Sequence, residues 1–374
     1  MTEFRVYADG QPATRDFSRS IEQVHVEQTM QGTWEAELHI KSCMNDLGHW
    51  SQEAVTQMDL RKRLRLELRA HGGDWVPLIE GPTVGVDLAA SGEPGQSTTT
   101  IRVRDDSVYL DRGELQHTFD AGSDLAAVIR RAFKMVRGIE LAAPEVSVEG
   151  TCEPEGGPQR QFTMHGSIWG FLNRLARDHG LYVRILPGVL GQPSRPVFGP
   201  LPKPDGSKFP QLVLAGPNRN IDSFRADVAV DQPGRVLASS LSIGDRTTTT
   251  HRAQLRDTEL LGDDTVVDED AEVSVLVAPG IGELVGPDCA ATAVLRRRGF
   301  IIEASGTVQG RCYPGVLSPF RYVDVTGVDK RVTGTFLIRS VSHVIDRAGY
   351  TQNFSLWRNA FSSGNSTVPT GSLF

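Results

Sequence analysis

Short segments with strictly alternating apolar and polar residues constrain this chain most. Within residues 21–41 the even positions are mainly apolar and the odd positions mainly polar, on both sides of the turn-forming segment MQGT. Only a β-strand places every second side chain on one face, so this period predicts a hairpin. The segment RLRLELR at 63–69 repeats the pattern, with its leucines expected inward and its charged residues outward. Several such strands separated by Gly and Pro turns are typical of barrels or sandwiches.

A second hairpin is predicted at 334–358. A tight turn at DRAG would pair Ile345 with Tyr350 and Val341 with Phe354, which places all four side chains on one face. The apolar residues before position 339 have the opposite parity. We therefore expect a β-bulge near 339–340, where one extra residue would restore the alternation.

Three segments have helical rather than strand periodicity. The first is predicted to begin at Ser123 as N-cap and to stop at Gly138, the second to begin at Ser167, and the third to begin near Pro287. Residues 187–219 are rich in Pro and Gly and predict a surface loop or strap rather than core. The acidic residues 262–272 predict a solvated loop.

Composition excludes several classes of protein. The 374 residues are 39% hydrophobic with a formal net charge of −7, and this charge argues against nucleic-acid binding. No apolar run approaches the roughly 18 residues of a membrane span, so no membrane insertion is expected, and the N-terminus does not resemble a secretory signal. The four cysteines lack metal-site spacing and are expected as isolated buried thiols: Cys43, Cys152, Cys289 and Cys312.

The sequence gives no catalytic, metal or cofactor site. It has no phosphate-binding loop, no GxSxG and no HExxH, so we expect a protein that is not an enzyme. Two alternatives stay open. A carbohydrate or cell-wall hydrolase would need two carboxylates in a cleft, for which Asp222, Asp227 and Glu303 are weak candidates. A monomeric β-rich ligand-binding module would need a closed pocket.

Two segments resemble one known family. QFTMHGSIWGFLNRLARDHGLYVRI at 161–185 and the segment from Gly306 to Asn359 are similar to the VgrG proteins and the phage late-control protein D family. The order of the remaining elements also agrees, so the resemblance spans most of the chain. The residues that match are Phe171, Leu172 and Leu175 in the helix, and Gly310, Gly315, Gly334, Phe336, Ser340, Val341, His343, Gly349 and Tyr350 near the C-terminus.

The resemblance implies a β-rich α+β fold with two similar antiparallel β-barrel tube domains and an inserted α/β region. The first tube domain is expected at 1–112, the inserted domain with its strap at 113–222, and the second tube domain at 223–250 and 300–360. A peripheral insertion with a helix would occupy 251–299, and a polar tail 361–374.

For function, the resemblance implies a homotrimeric hub that joins a hexameric inner tube to a trimeric spike in a contractile phage tail or injection system. The expected partners are further copies of the chain, the inner tube protein, a separate spike protein and baseplate wedge or peripheral hub proteins. Such a protein is made in the bacterial cytoplasm and assembled into a baseplate. Trp34 and Trp357 are the candidate interface anchors, with a core position as the alternative for Trp34.

Overall fold

The computed structural model describes residues 2–41, 62–91, 93, 96–149, 161–204, 209–229, 232–241, 246–255, 258–264, 267–277 and 286–362. Cys43, Cys152 and most of the polar tail lie outside these residues. Both described cysteines are free thiols; Cys289 is buried as expected, whereas Cys312 is exposed, which corrects the prediction. No helix in the described part of the chain is long and apolar enough to span a membrane.

Most of the chain is antiparallel β-sheet, as predicted, and thirteen strands share one sheet. The first strand group, built around one apolar core, contains seven of them. They are β1 (Glu3–Ala8), β2 (Gln11–Pro12), β3 (Ile21–Thr29), β4 (Glu35–Lys41), β5 (Arg63–Arg69), β6 (Val76–Ala89) and β7 (Thr98–Arg104). Helix α1 (Arg15–Ser20) begins at Thr14, whose hydroxyl accepts from the Phe17 amide, and buries Phe17 in the same core.

The predicted hairpin at 21–41 is confirmed as β3 and β4. Val24 pairs with Leu38 and Val26 with Ala36, so the even positions face the core together. In β5 the leucines are buried as predicted, but Arg65 and Glu67 are buried too. The prediction that they face solvent was wrong because both faces of this strand are covered.

The middle of the chain packs helices against two small sheets. Its helices are α2 (Ser107–Asp111), α3 (Leu125–Lys134) and α4 (Ile168–Asp178). Its strands are β8 (Leu115–Phe119), β9 (Glu145–Val146), β10 (Phe162–Gly166), β11 (Tyr182–Leu186) and β12 (Arg195–Gly199).

The predicted boundaries of α3 were wrong at both ends, whereas Ser167 caps α4 as predicted. Asp124, not Ser123, is the N-cap of α3, because its carboxylate accepts from the Ala127 amide. Helix α3 stops at Lys134, four residues before Gly138, whose positive φ of 84° lies in the connection that follows.

The second strand group surrounds a separate apolar core. Its strands are β13 (Phe209–Val213), β14 (Ile221–Val228), β18 (Ile302–Gln309), β19 (Tyr322–Thr326), β20 (Gly334–Asp346) and β21 (Tyr350–Arg358), with a 3₁₀ turn at Lys330–Val332 before β20. The register of β20 and β21 is the predicted one: Ile345 opposes Tyr350 and Val341 opposes Phe354. The register shifts between Ile338 and Ser340, which confirms the expected bulge.

An insertion between β14 and β18 forms its own three-stranded sheet. It contains β15 (Pro233–Leu241), β16 (Thr248–Gln254), β17 (Asp268–Val277) and helix α5 (Pro287–Arg298), which begins at Pro287 as predicted. This sheet packs with α3, α4 and α5 around one core. Strand β15 lies inside the range 223–250 that was predicted for the second barrel, yet within the described part of the chain its partners are β16 and β17.

Two predicted loops contain strands. The range 187–219 includes β12 and β13, whose Phe198 and Leu212 are fully buried, so it is not a surface strap. The acidic range 262–272 includes the start of β17. In both cases strand pairing overrides the local composition: β12 pairs with β11, β13 with β19, and β17 with β15.

Candidate functional site

The two strand groups meet where β3 pairs with β20. The antiparallel ladder runs from Thr29 opposite Ser340 to Gln23 opposite Asp346. The first part of β20 pairs instead with β19, on residues 334–337. The bulge of β20 thus separates a part that belongs to the second strand group from a part that joins the two groups.

A buried polar network crosses this junction. Nδ1 of His343 lies 2.7 Å from the Tyr350 hydroxyl, and its Nε2 lies 3.3 Å from Oε1 of Gln28. The Gln28 amide donates to the carbonyl of Leu78 in β6 at 2.6 Å. Residues from β3, β6, β20 and β21 are therefore tied together by side chains that are almost completely buried.

Burial sets the protonation state of this network. It lowers the pKa of His343 to about 3, with a smaller contribution from the nearby His25, and it raises the pKa of Tyr350. His343 is therefore neutral at ordinary pH. One ring nitrogen can then donate while the other accepts, as the two contacts require.

Two of the family-motif glycines lie against buried tyrosine rings. A Cβ on Gly310 would lie 2.4 Å from the Tyr350 ring, and one on Gly315 would lie 2.8 Å from the ring of Tyr313. Gly349 lies in the β20–β21 turn with a φ of 146°. Gly310 and Gly315 thus make room for buried aromatic rings, a packing role rather than a chemical one, whereas Gly349 supplies the positive φ of the turn.

Gly334 and Phe336 contact a second buried group, the guanidinium of Arg358. A Cβ on Gly334 would lie 2.9 Å from this guanidinium, which stands 5.5 Å from the Phe336 ring centre. Arg358 donates to the carbonyl of Thr333 at 2.7 Å and to that of Leu261 at 3.2 Å. It therefore fixes the end of β21 to the segment that precedes β17.

The other matching residues are also structural in position. Ser340 lies just after the bulge, and Val341 is buried in the second core. Phe171, Leu172 and Leu175 of α4 lie in the core shared with α3 and α5, where Phe171 stacks on Phe119 at 5.9 Å. They do not contact the His343 network.

The two tryptophans occupy different environments. Trp34 is only 4% exposed and its indole donates to the carbonyl of Thr29, so it is a core residue and not an exposed anchor. Trp357 is half-buried, stacks on Phe300 at 5.1 Å and lies under the guanidinium of Arg339 at 4.6 Å.

A buried charge cluster that the sequence pattern does not indicate lies on the outer face of β5. Arg65 contacts Glu67 at 2.8 Å and Glu80 at 2.5 Å, and it donates to the carbonyl of Gly188 at 2.7 Å. A charged residue on the polar side of an alternating strand gives no local sign that another segment will cover it.

Asp106 extends this cluster to the same covering segment. Both its oxygens contact Arg63, at 2.6 and 2.8 Å, and it accepts from the Ser194 hydroxyl at 2.6 Å. Together with the Gly188 contact, this holds the loop after β11 against the first strand group.

The adjacent carboxylate, Asp105, caps a turn. It accepts from the amides of Trp34 at 2.9 Å and Ser107 at 3.0 Å. Burial raises its pKa to about 7. Its ionisation near neutral pH is a consequence of packing around Trp34 rather than of a catalytic arrangement.

The carboxylates considered for a hydrolase lie on an exposed sheet face. Asp227 and Glu303 are directly opposite each other on β14 and β18. Each contacts an arginine, Arg225 for Asp227 and Arg339 for Glu303, and Asp222 is exposed on β14. Among the described residues no group of three or more His, Cys, Asp or Glu side chains is arranged to hold a metal ion.

The strand order contains a repeat that the sequence does not reveal. The central path of the sheet is β14-β18-β21-β20 followed directly by β3-β4-β7-β6. Within each quartet, the strands can be numbered first to fourth by their order in the chain. In both quartets the order across the sheet is then first, second, fourth, third. The order is thus repeated by translation along the sheet.

Register irregularities fall at matching places in the two quartets. A bulge separates Ile21 from Gln23 in β3, and another separates Ile221 from Ser223 in β14. A bulge at Val84 in β6 matches the bulge at Arg339 in β20. Bulges at corresponding positions support a common architecture of the two quartets.

Comparisons with solved structures identify proteins of the same shape. The tail protein from Neisseria meningitidis MC58 superimposes with a TM-score of 0.65 at 13% identity over 96% of each chain. The 43 kDa tail protein of prophage MuSo2 from Shewanella oneidensis gives 0.62 at 15% identity, covering 96% of this chain and 100% of that one.

A chain of the PdpA–VgrG complex of Francisella gives a TM-score of 0.56 at 8% identity, covering 100% of this chain and 60% of that one. No protein-family model matches the sequence, and no curated protein sequence matches it significantly. At these identities the likeness concerns the fold, and the chain has the β-rich fold of phage tail and VgrG-type proteins.

Proposed function

We propose that this chain is the hub of a contractile phage tail or injection system, a homotrimer that joins a hexameric inner tube to a trimeric spike. The repeated strand quartet carries the proposal. A trimer of chains that each contain two like-ordered quartets presents three equivalent chains to the spike and six similar quartets to the tube. The fold shared with phage tail proteins supports the same assignment.

The proposed domains follow the two strand groups. The first tube domain comprises β1–β7, and the second comprises β13, β14 and β18–β21. The helices and the three small sheets between and within them lie outside the repeated quartets and are proposed to contact baseplate wedge or peripheral hub proteins. The inner tube protein, a separate spike protein and further copies of the chain are the remaining partners.

The proposed role is structural. The motif residues serve as packing positions around Tyr350 and Arg358, and the candidate carboxylates lie on an exposed sheet face rather than in a cleft. The half-buried Trp357 is a proposed contact for a baseplate partner, since Arg339 and Phe300 already hold its ring in place.

The test combines mass and imaging. Native mass spectrometry of the purified chain is expected to give a trimer. Electron microscopy of the chain mixed with the inner tube protein of the same particle is expected to show one trimer closing one end of the hexameric tube. A single copy bound to the tube, or no binding to the tube at all, would overturn the assignment.

A further inference from the structure

The eight-stranded path formed by the two quartets ends in two open strand edges. Strand β14 pairs with β18 on one side only, and residues 85–89 of β6 pair with β7 on one side only. No other strand of the described residues pairs with either edge. Open edges present unpaired backbone amides and carbonyls, which favour pairing with another strand.

The repeat shows which strand each edge should accept. By position in the quartet, β6 corresponds to β20 and β14 corresponds to β3. Within the chain, β20 and β3 pair with each other and join the quartets. The free edge of β6 therefore corresponds to the edge of β20 that pairs with β3. Likewise, the free edge of β14 corresponds to the edge of β3 that pairs with β20.

The matched bulges fix this correspondence residue by residue. Beyond its bulge, Gly85 of β6 matches Ser340 of β20, so Val86 matches Val341 and Leu88 matches His343. On the other edge, the bulge of β14 before Ser223 matches the bulge of β3 before Gln23. Counting on from these bulges, Ala226 matches Val26 and Val228 matches Gln28.

Side chains near the two free edges are more exposed than the matching side chains at the paired edges, as expected if a neighbouring strand is absent. His343 is fully buried beneath its neighbours, whereas the matching Leu88 is 63% exposed. Val26 and Gln28 are buried, whereas the matching Ala226 and Val228 are only half-buried. Apolar side chains at core positions of the repeat are thus left uncovered at both free edges.

We propose that β6 of one copy pairs antiparallel with β14 of a second copy, in the register in which β20 pairs with β3. This interface rests on the proposed trimer and specifies how its subunits join. In this register Val86 lies opposite Val228 and Leu88 opposite Ala226 of the neighbouring copy. The contact is head-to-tail and each chain has one edge of each kind, so the three copies of the proposed trimer can close a ring in which neither of these two edges stays open.

The proposed register brings two carboxylates together between the copies. It places Asp87 opposite Asp227 on the polar face, where the chain itself places Ser342 opposite Glu27. Arg225 of the neighbouring copy lies one position along that face and already contacts Asp227 at 3.4 Å. A lysine at position 87 would face a carboxylate and strengthen the pairing.

Paired cysteines test the register. In a variant with Cys43, Cys152 and Cys312 replaced by Ser, Asp87→Cys with Asp227→Cys should give disulfide-linked dimers and trimers under mild oxidation on a non-reducing gel. Glu27→Cys with Ser342→Cys is the matched control and should link within one chain. Asp87→Cys with Ser223→Cys, four residues out of register, should link at least tenfold less.

Two point variants test the interface without cysteines. Leu88→Arg should weaken trimerisation about tenfold or more in sedimentation experiments, a change of at least about 1.4 kcal/mol. Leu276→Arg is the control, since Leu276 is 74% exposed and lies on β17 away from both edges. Asp87→Lys should strengthen trimerisation.

The outcomes separate this interface from the proposed function. A trimer by mass that lacks the 87–227 link, or is indifferent to Leu88→Arg, overturns the strand pairing and leaves the hub assignment standing. A chain that remains a monomer at all concentrations overturns the pairing as well, and the tube-binding images then decide the hub assignment separately.

Discussion

The Tyr350 hydroxyl lies 2.7 Å from Nδ1 of His343, and both side chains are buried where the two strand groups share a sheet. Both residues belong to one hairpin, in which β20 and β21 bring them to opposite strands. Through Gln28 the same contact extends into β3 and, through the Leu78 carbonyl, into β6. Stability of the junction should depend on it.

Removing the Tyr350 hydroxyl tests that dependence. Tyr350→Phe keeps the ring but leaves a buried nitrogen of His343 without its partner, which should lower the free energy of unfolding by about 1–3 kcal/mol. Urea denaturation followed by circular dichroism measures the change. Tyr109→Phe is the control, because Tyr109 is only half-buried and should change stability by less than about 0.5 kcal/mol. Equal losses in the two variants would contradict the network.

Gly310 should tolerate no side chain. Gly310→Ala would place a methyl group 2.4 Å from the Tyr350 ring, so the ring or the strand must move, at a cost of about 1–3 kcal/mol in unfolding free energy. At Gly199 the nearest atoms to a new Cβ are 3.4 Å away, an ordinary contact, so Gly199→Ala should cost less. Thermal unfolding of both variants compares them, and a Gly310→Ala protein as stable as wild type would refute the packing role.

The buried charge cluster should depend on Arg65 more than on any exposed arginine. Arg65→Met leaves the buried Glu67 without its cation, and Glu80 then keeps only its 3.4 Å contact with Arg63. The variant should destabilise the protein by about 3–5 kcal/mol. Arg331→Met breaks an ion pair with Asp329 in which both side chains are mostly exposed, and it should have an effect below about 1 kcal/mol. Chemical denaturation distinguishes them. Similar small effects would mean that the loop after β11 contributes little to holding the fold.

Asp105 should add a pH-dependent component to stability. Its pKa is about 7 in the folded chain, against 3.8 when unperturbed, so the folded state holds the proton more tightly. This contribution is fully present below pH 3.8 and is lost as the pH rises through 7, at about 1.4 kcal/mol per pH unit in between.

Asp105→Asn should remove that slope, because an amide does not titrate. The measurement is the difference in unfolding free energy between wild type and variant at several pH values from 4 to 8. The difference should change steadily up to about pH 7 and then level off. A difference that is constant over this range would show that Asp105 is already ionised in the folded protein at low pH.

Local sequence pattern determined the hairpins at 21–41 and 334–358, the pairing of Ile345 with Tyr350 and the bulge after Ile338. It also determined the cap at Ser167 and the start of α5 at Pro287. Each depends on residues close in sequence: alternation decides which face a side chain takes, and a short turn decides its partner. A sign of the buried network was also present, since Gln28 is a polar residue at an inward-facing position.

Only the tertiary structure decided the pairing of β3 with β20, the burial of Arg65 and Glu67, the strands within 187–219 and the repeated quartet order. Most of these features join segments far apart in the chain, and the contact between Arg65 and Gly188 spans more than a hundred residues. Alternation specifies that a strand has an apolar face, but it carries no information about which distant strand or loop will cover each face. That choice follows from how the whole chain can bury its apolar surface while satisfying its backbone hydrogen bonds.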